Sequence, residues 1–301
     1  MKYLKIKKMQ KRMLFICVFL LCLLLSFPSS SAGECDDGID NDNDGLIDWT
    51  YDLGCWGPDD DDEAAGPRDD ENGWTTFDPS PDTIIIYVSS SEGDDSNDGL
   101  TPKTPKKAIA SGYDLARENM PDWVLLKRGD VWFDEIVPYL PNIKSGKSET
   151  EKHILASYGS SRKRPLLNIK GSGLTKVAVN IGYKGLEHNH MAILGLDFYA
   201  YTKDPDSPDY EGYLGPGALR RFGPGGDLLI EDCSFRFAGV VLQTGSTYAY
   251  DIDFRRNIVT DQYSTTGHSA GVYFSHIDGA LLEGNIFDHC GWLIQGDGSG
   301  T

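Results

Sequence analysis

The chain has 301 residues, enough for one or two domains or for one long repeat array. Acids outnumber bases 46 to 28, and six of the bases fall in the first twelve residues, so the remainder is more acidic than the formal charge of −18 conveys. That sign excludes a phosphate-neutralising nucleic-acid surface, while 40% apolar residues, 34 glycines and 11% aromatics suit a turn-rich β protein better than a helical bundle or a disordered chain.

Residues 1–32 read as an export signal. Met1–Arg12 is basic, Met13–Leu25 is apolar without interruption, and small residues follow, with Ser30 and Ala32 placed for cleavage before Gly33. Thirteen apolar residues are short against the roughly 20 of a spanning helix, so no stable membrane span is expected after cleavage. Export permits disulfides, and the mature chain keeps Cys35, Cys55, Cys233 and Cys290.

Residues 33–63 form an acidic segment, and 64–82 read as a Pro/Gly-containing linker. Within the acidic segment Asp40, Asp42, Asp44 and Asp48 alternate with other residues around the Gly45 turn, which supplies the recurrent oxygen ligands that Ca2+ requires. With its flanks, Cys35 to Cys55, this stretch resembles a thrombospondin type 3-like calcium repeat. The resemblance implies a structural Ca2+ and a Cys35–Cys55 disulfide, which would hold a segment that has almost no apolar core.

The body, 83–301, is expected to be a solenoid with an N-terminal cap over 83–135 and rungs over 136–301. Ile84–Val88 is a strand, Thr104-Pro105 opens a predicted helix that Pro121 stops, and Trp123–Leu126 is the next strand. Four later segments align without gaps from Met191, Leu228, Ile252 and Ala280. Their first, third and eighth columns are apolar, and the sixth holds Leu196, Cys233, Asn257 and Asn285. Starts spaced 37, 24 and 28 residues apart mean loops of variable length on a constant scaffold. Second strands lie between the repeats at 239–243 and 271–275. The sixth-column asparagines predict a hydrogen-bonded ladder at an inward bend, and Cys233 in that column reads as a small buried hydrophobe. A β-sandwich would show hairpin dipeptides and cleaner alternation instead.

The stretch Tyr87–Pro105, a short helix, then Val124–Trp132 resembles the entry of right-handed parallel β-helix proteins of the pectate-lyase-like superfamily. Gly284–Trp292 is similar to their later-rung motif. The resemblance implies an all-β right-handed parallel β-helix with an N-terminal capping helix, monomeric, working on an extracellular polysaccharide as a lyase or, second, a hydrolase. It also implies that a lyase would use a Lys or Arg base, often with Ca2+ at the active groove. The alternative is a non-catalytic glycan-binding or adhesin-like scaffold. With no terminal cap before Thr301, further rungs are expected beyond it.

Two constellations could carry the chemistry. The first joins Asp261, His268, His276 and Asp278, with His268 as base and His276 as substrate ligand. Arg255 and Arg256, adjacent on a predicted strand, should point to opposite faces, so that one could hold a uronate carboxylate. The second is Lys184–His190, with Lys184 as lyase base; Glu187, His188 and His190 could hold a metal, the two histidines sharing a strand face. A Cys233–Cys290 disulfide is left open.

Overall fold

In the computed structural model the described residues are 37–39, 73–135, 143–170, 177–182, 186–212, 216–245, 247–263 and 270–296. The signal, the Asp40–Asp48 motif, Cys35 and Cys55 lie outside them.

Short apolar strands stack in register along three sheets, every pairing parallel. The first sheet has seven strands, in the order Ile85–Val88, Trp123–Lys127, His153–Tyr158, Met191–Leu194, Gly225–Glu231, Ala249–Arg255 and Ile277–Glu283. The second runs Val131–Phe133, Leu166–Asn168, Asp197–Tyr199, Ser234–Arg236, Ile258–Thr260 and Ile286–Asp288. The third runs Val177–Ile181, Gly217–Arg221, Val240–Thr244, Ala270–Phe274 and Trp292–Gly296. From His153 onward each circuit contributes one strand to each sheet in turn; among the described residues the circuit from Trp123 supplies the first two sheets and that from Ile85 the first alone. The chain is a parallel β-helix, with the right-handed sense that parallel crossovers favour. The aligned repeat is the rung: Leu228 pairs with Met191 and Ile252, and Ile252 with Ala280.

The corner from first to second sheet explains the repeat's polar columns. Gly195, Asp232, Arg256 and Gly284 occupy it in successive rungs, all with positive φ. Gly and Asp suit that left-handed bend. The next residue turns inward, and there the asparagine ladder forms. Asn257 Oδ1 accepts from the Cys233 N–H at 2.9 Å, while Asn257 Nδ2 donates to Ile230 O at 3.0 Å and to Asn285 Oδ1 at 3.1 Å. Cys233 is buried as expected, and it forms no disulfide with Cys290. Inside the coil Phe198, Phe235, Phe254 and Phe287 stack with centroids 5.0, 5.9 and 6.5 Å apart.

The capping helix is shorter than expected, Ile109–Tyr113, and begins five residues after Thr104. The Lys106 N–H donates to Tyr87 O and the Ser89 N–H to Lys106 O, which ties 104–106 to the first strand in extended form. Asp95 then accepts the Lys107 and Ala108 N–H groups. The helix presses on the strands at Gly112, where a Cβ would meet Val88 at 2.5 Å. Asp130 anchors the preceding Ser-rich loop, accepting from the Ser89 and Ser91 hydroxyls at 2.6 Å.

The outer side of the first sheet changes character along the axis. Its early rungs present Tyr87, Trp123, Leu125, Ile154, Ala156, Tyr158, Ala192, Leu194 and Leu229, all buried, with Phe77 and Ile85 packed on them. Residues 73–82, read from sequence as the end of a linker, therefore lie as a strap on this face. Beyond Leu229 the outward positions become mostly ionic, with Glu231, Asp253, Arg255 and Glu283 and one exposed apolar residue, Leu281.

Candidate active site

One polar column runs along the entry edge of the first sheet. Lys152, His190, Asp227 and Asp251 each stand one residue before the paired positions His153, Met191, Leu228 and Ile252. His190, Asp227 and Asp251 have positive φ, a bend that Asp and His tolerate better than bulky residues. Lys152 Nζ donates to Asp227 Oδ1, and His190 Nδ1 lies 2.8 Å from Asp227 Oδ2. One carboxylate is thus gripped on both oxygens, by groups from two neighbouring rungs. Beside it the Asn189 Oδ1 accepts from the Gly226 N–H at 2.7 Å and the Tyr250 hydroxyl at 3.0 Å, which fixes the rim.

Asp253 faces outward on the next strand, opposite Leu229. Burial pushes its carboxyl above the ordinary carboxylate value; Arg255 and Lys152 oppose the shift, and Asp227 and Asp251 add to it. One carboxyl is biased toward its protonated form, and its neighbour is held by a lysine and a histidine. Acid–base catalysis uses such a division of roles.

The arginines sit one rung position away and are already engaged. Arg255 ends its strand, whereas Arg256 occupies the left-handed corner, so they do not point to opposite faces. Both guanidinium groups approach the fully buried Glu231, each with Nη1 3.9 Å from Oε1. Arg255 also pairs with Glu283 at 2.9 Å and donates to Thr75 Oγ1 at 3.3 Å. Arg256 donates to Gly73 O and stacks 4.8 Å over Trp74. The Thr75 N–H donates to Glu231 Oε2 at 3.2 Å. The arginines thus latch the strap to the ionic end of the sheet.

Lys184 and His268 lie outside the described residues. Asp261 directly follows the second-sheet strand Ile258–Thr260 and His276 follows the third-sheet strand Ala270–Phe274, so the two stand at different corners of the rung. Asp261 lies 3.9 Å from His289, while His276 bonds Ser275 Oγ at 2.9 Å. His188 and His190 do not share a face, because 186–189 is not a strand. His188 is buried, and burial lowers its pKa; only His190 reaches the polar column. Among the described residues no group of three His, Cys, Asp or Glu side chains is placed to hold a metal.

Asp227 and Asp253 were missed because they sit inside apolar strand patterns. The repeat alignment carries a signal for the first of them alone, since Asp227 and Asp251 recur just before its first column, whereas Asp253 shares a column with Ala192, Leu229 and Leu281.

No family model matches the chain, and no curated protein matches it. Among solved structures it is similar to a GH136 lacto-N-biosidase from Eubacterium ramulus, with 17% identity and a TM-score of 0.40 over 68% of this chain and 45% of that one. It is also similar to a rhamnogalacturonan lyase, with 14% identity and a TM-score of 0.37 over 68% and 50%. An alginate lyase from Paenibacillus sp. gives 11% identity and a TM-score of 0.18 over 73% and 99%. The chain thus spans about half the length of the first two. At this identity and overlap the likenesses bear on neither substrate nor mechanism.

Proposed function

We propose that this protein is an exported carbohydrate-active β-helix that cleaves an extracellular polysaccharide at the outer, ionic end of its first sheet. The observation that carries the reading is the unequal carboxyl pair, Asp253 with its raised pKa beside Asp227 in the grip of Lys152 and His190. Asp253 protonates the departing glycosidic oxygen. Asp227 activates water or stabilises the developing positive charge, with Lys152 and His190 fixing its orientation. Among the described residues the cations of this face are each engaged by an acid: Lys152 by Asp227, Arg255 and Arg256 by Glu231. That arrangement favours hydrolysis over an elimination that needs a cation for the uronate carboxylate. Calcium remains assigned to the N-terminal segment as a structural ion.

The test incubates the protein with neutral and uronate-containing polysaccharides, following reducing ends and the ultraviolet absorbance of unsaturated uronates. New reducing ends without that absorbance are expected. Asp253→Asn should cost about 10²–10⁴ in rate, the usual contribution of a general acid. Unsaturated product would shift the chemistry to elimination, and silence in both readouts would leave a glycan-binding scaffold.

A further inference from the structure

The second sheet presents a different surface, away from the carboxyl pair. Its outward column runs Phe133, Asn168, Tyr199, Arg236 in successive paired strands. Phe133 is 62% exposed, a large apolar ring with no core to join. The 3-10 turn Tyr201–Lys203 brings the Tyr201 ring edge-on to it, with centroids 6.0 Å apart and planes at 81°. Two rings at a right angle make an open corner with a floor and a wall.

Polar groups border the corner. The Tyr201 hydroxyl donates to Asp134 Oδ2 at 3.3 Å, and Lys170 Nζ lies 3.5 Å from the same oxygen. Burial, then Asp134, raises the Tyr201 pKa to about 12, so its hydroxyl keeps its proton. Next to Phe133 in the column, Asn168 is buried and its amide oxygen has no hydrogen-bond partner. On the adjoining rung Asp197 Oδ1 is likewise buried without a partner, although Oδ2 takes Arg236 at 3.3 Å. Unmatched buried acceptors are costly and call for donors. The surface therefore combines an apolar platform with acceptors in want of hydroxyls. An apolar partner would leave those acceptors unmatched, and a carboxylate, which only accepts hydrogen bonds, could not serve them either.

We propose that this corner is a binding subsite for an uncharged pyranose of a neutral glycan. The C–H face of the sugar stacks on Phe133, its edge rests on Tyr201, and its hydroxyls donate to Asp134 and the Asn168 amide. The site holds a glycan without cleaving it and does not depend on the chemistry assigned to the first sheet. Rungs about 4.8 Å apart let a glycan chain run along the solenoid axis from this corner toward Tyr199 and Arg236.

Affinity electrophoresis of the full chain tests this in gels containing xyloglucan, mixed-linkage β-glucan, arabinoxylan or galactomannan, with polygalacturonate as the charged comparison. Retardation by at least one neutral glycan is expected. Phe133→Ala should weaken it about tenfold or more, as the loss of one aromatic contact and its buried area implies, and Phe133→Trp should preserve it. The thermal midpoint of either variant should not fall, because Phe133 is outside the core. The proposal is overturned by no retardation in any neutral gel, by retardation in polygalacturonate alone, or by a Phe133→Ala protein that binds within about twofold of the parent. Neutral-glycan retardation without cleavage would remove the catalytic reading and keep this site; cleavage without Phe133-dependent retardation would do the reverse.

Discussion

At Asp253 the fold and the proposed chemistry favour the same, protonated state. Its pKa is raised in the fold, so the stability it contributes is present at acid pH and lost as pH rises through the raised value. Asp253→Asn should therefore melt higher than the parent above neutrality and no higher at acid pH, while losing cleavage; a lower melting point at alkaline pH would contradict the assigned environment. In the parent, cleavage should decline as pH climbs past the same ionisation, because the acid form is the working one. The buried histidines act in the opposite sense. His153 lies against Tyr113 with neither ring nitrogen hydrogen-bonded, and burial drops its pKa from 6.5 to about 4. A depressed value favours the neutral ring, so full stability holds above pH 6.5 and is lost as pH falls toward 4. The slope reaches about 1.4 kcal/mol per pH unit for each such histidine. Urea midpoints measured across this window should fall with pH, and His153→Phe should flatten the dependence.

At the scale of elements, the corners carry the specificity and the strands carry the burial. Asn257 satisfies the Cys233 N–H and Ile230 O at one corner. Asn257→Leu leaves both without partners in a sealed interior, and should cost about 2–4 kcal/mol by denaturant titration. The ladder was legible in the sequence because its column recurs with chemistry unsuited to an ordinary apolar position. The left-handed residue before it left a mark that went unread, the Gly195, Asp232, Gly284 column, and Arg256 in that column was read as strand because a long basic side chain masks a backbone requirement. The helix start was misjudged for a related reason. Thr104-Pro105 has helix-opening chemistry, but pairing of Lys106 with the first strand overrides it, and local sequence does not display a bond to a distant strand. Removing the latch is expected to be costly. Arg255→Ala with Arg256→Ala strands the buried Glu231 charge, at about 3 kcal/mol or more, and should make amides of residues 73–82 exchange faster with solvent.

On the scale of the whole molecule, the repeat alignment specified the architecture, whereas the carboxyl pair depends on contacts that no local pattern holds. Lys152 and Asp227 are 75 residues apart and meet because the intervening rung returns the chain to the same edge. The core stack is similarly collective: Phe235 touches Phe198 on one side and Phe254 on the other, so Phe235→Ala should cost about 3–5 kcal/mol, read as a fall in denaturant midpoint. A solenoid of this kind is ordinarily a one-dimensional array in which each rung feels only its neighbours, so end rungs can fray without disturbing the middle. The strap alters that. It leaves the first strand at Ile85, runs back over the outer face, and is clamped at Gly73–Thr75 by Glu231, Arg255 and Arg256, on the fifth and sixth strands of the sheet. The opening rung and the sixth are thereby tied by a contact that skips all those between. Loosening either end releases the other, so the span beneath the strap should melt as one cooperative unit, with only the rungs beyond Arg256 left to fray independently.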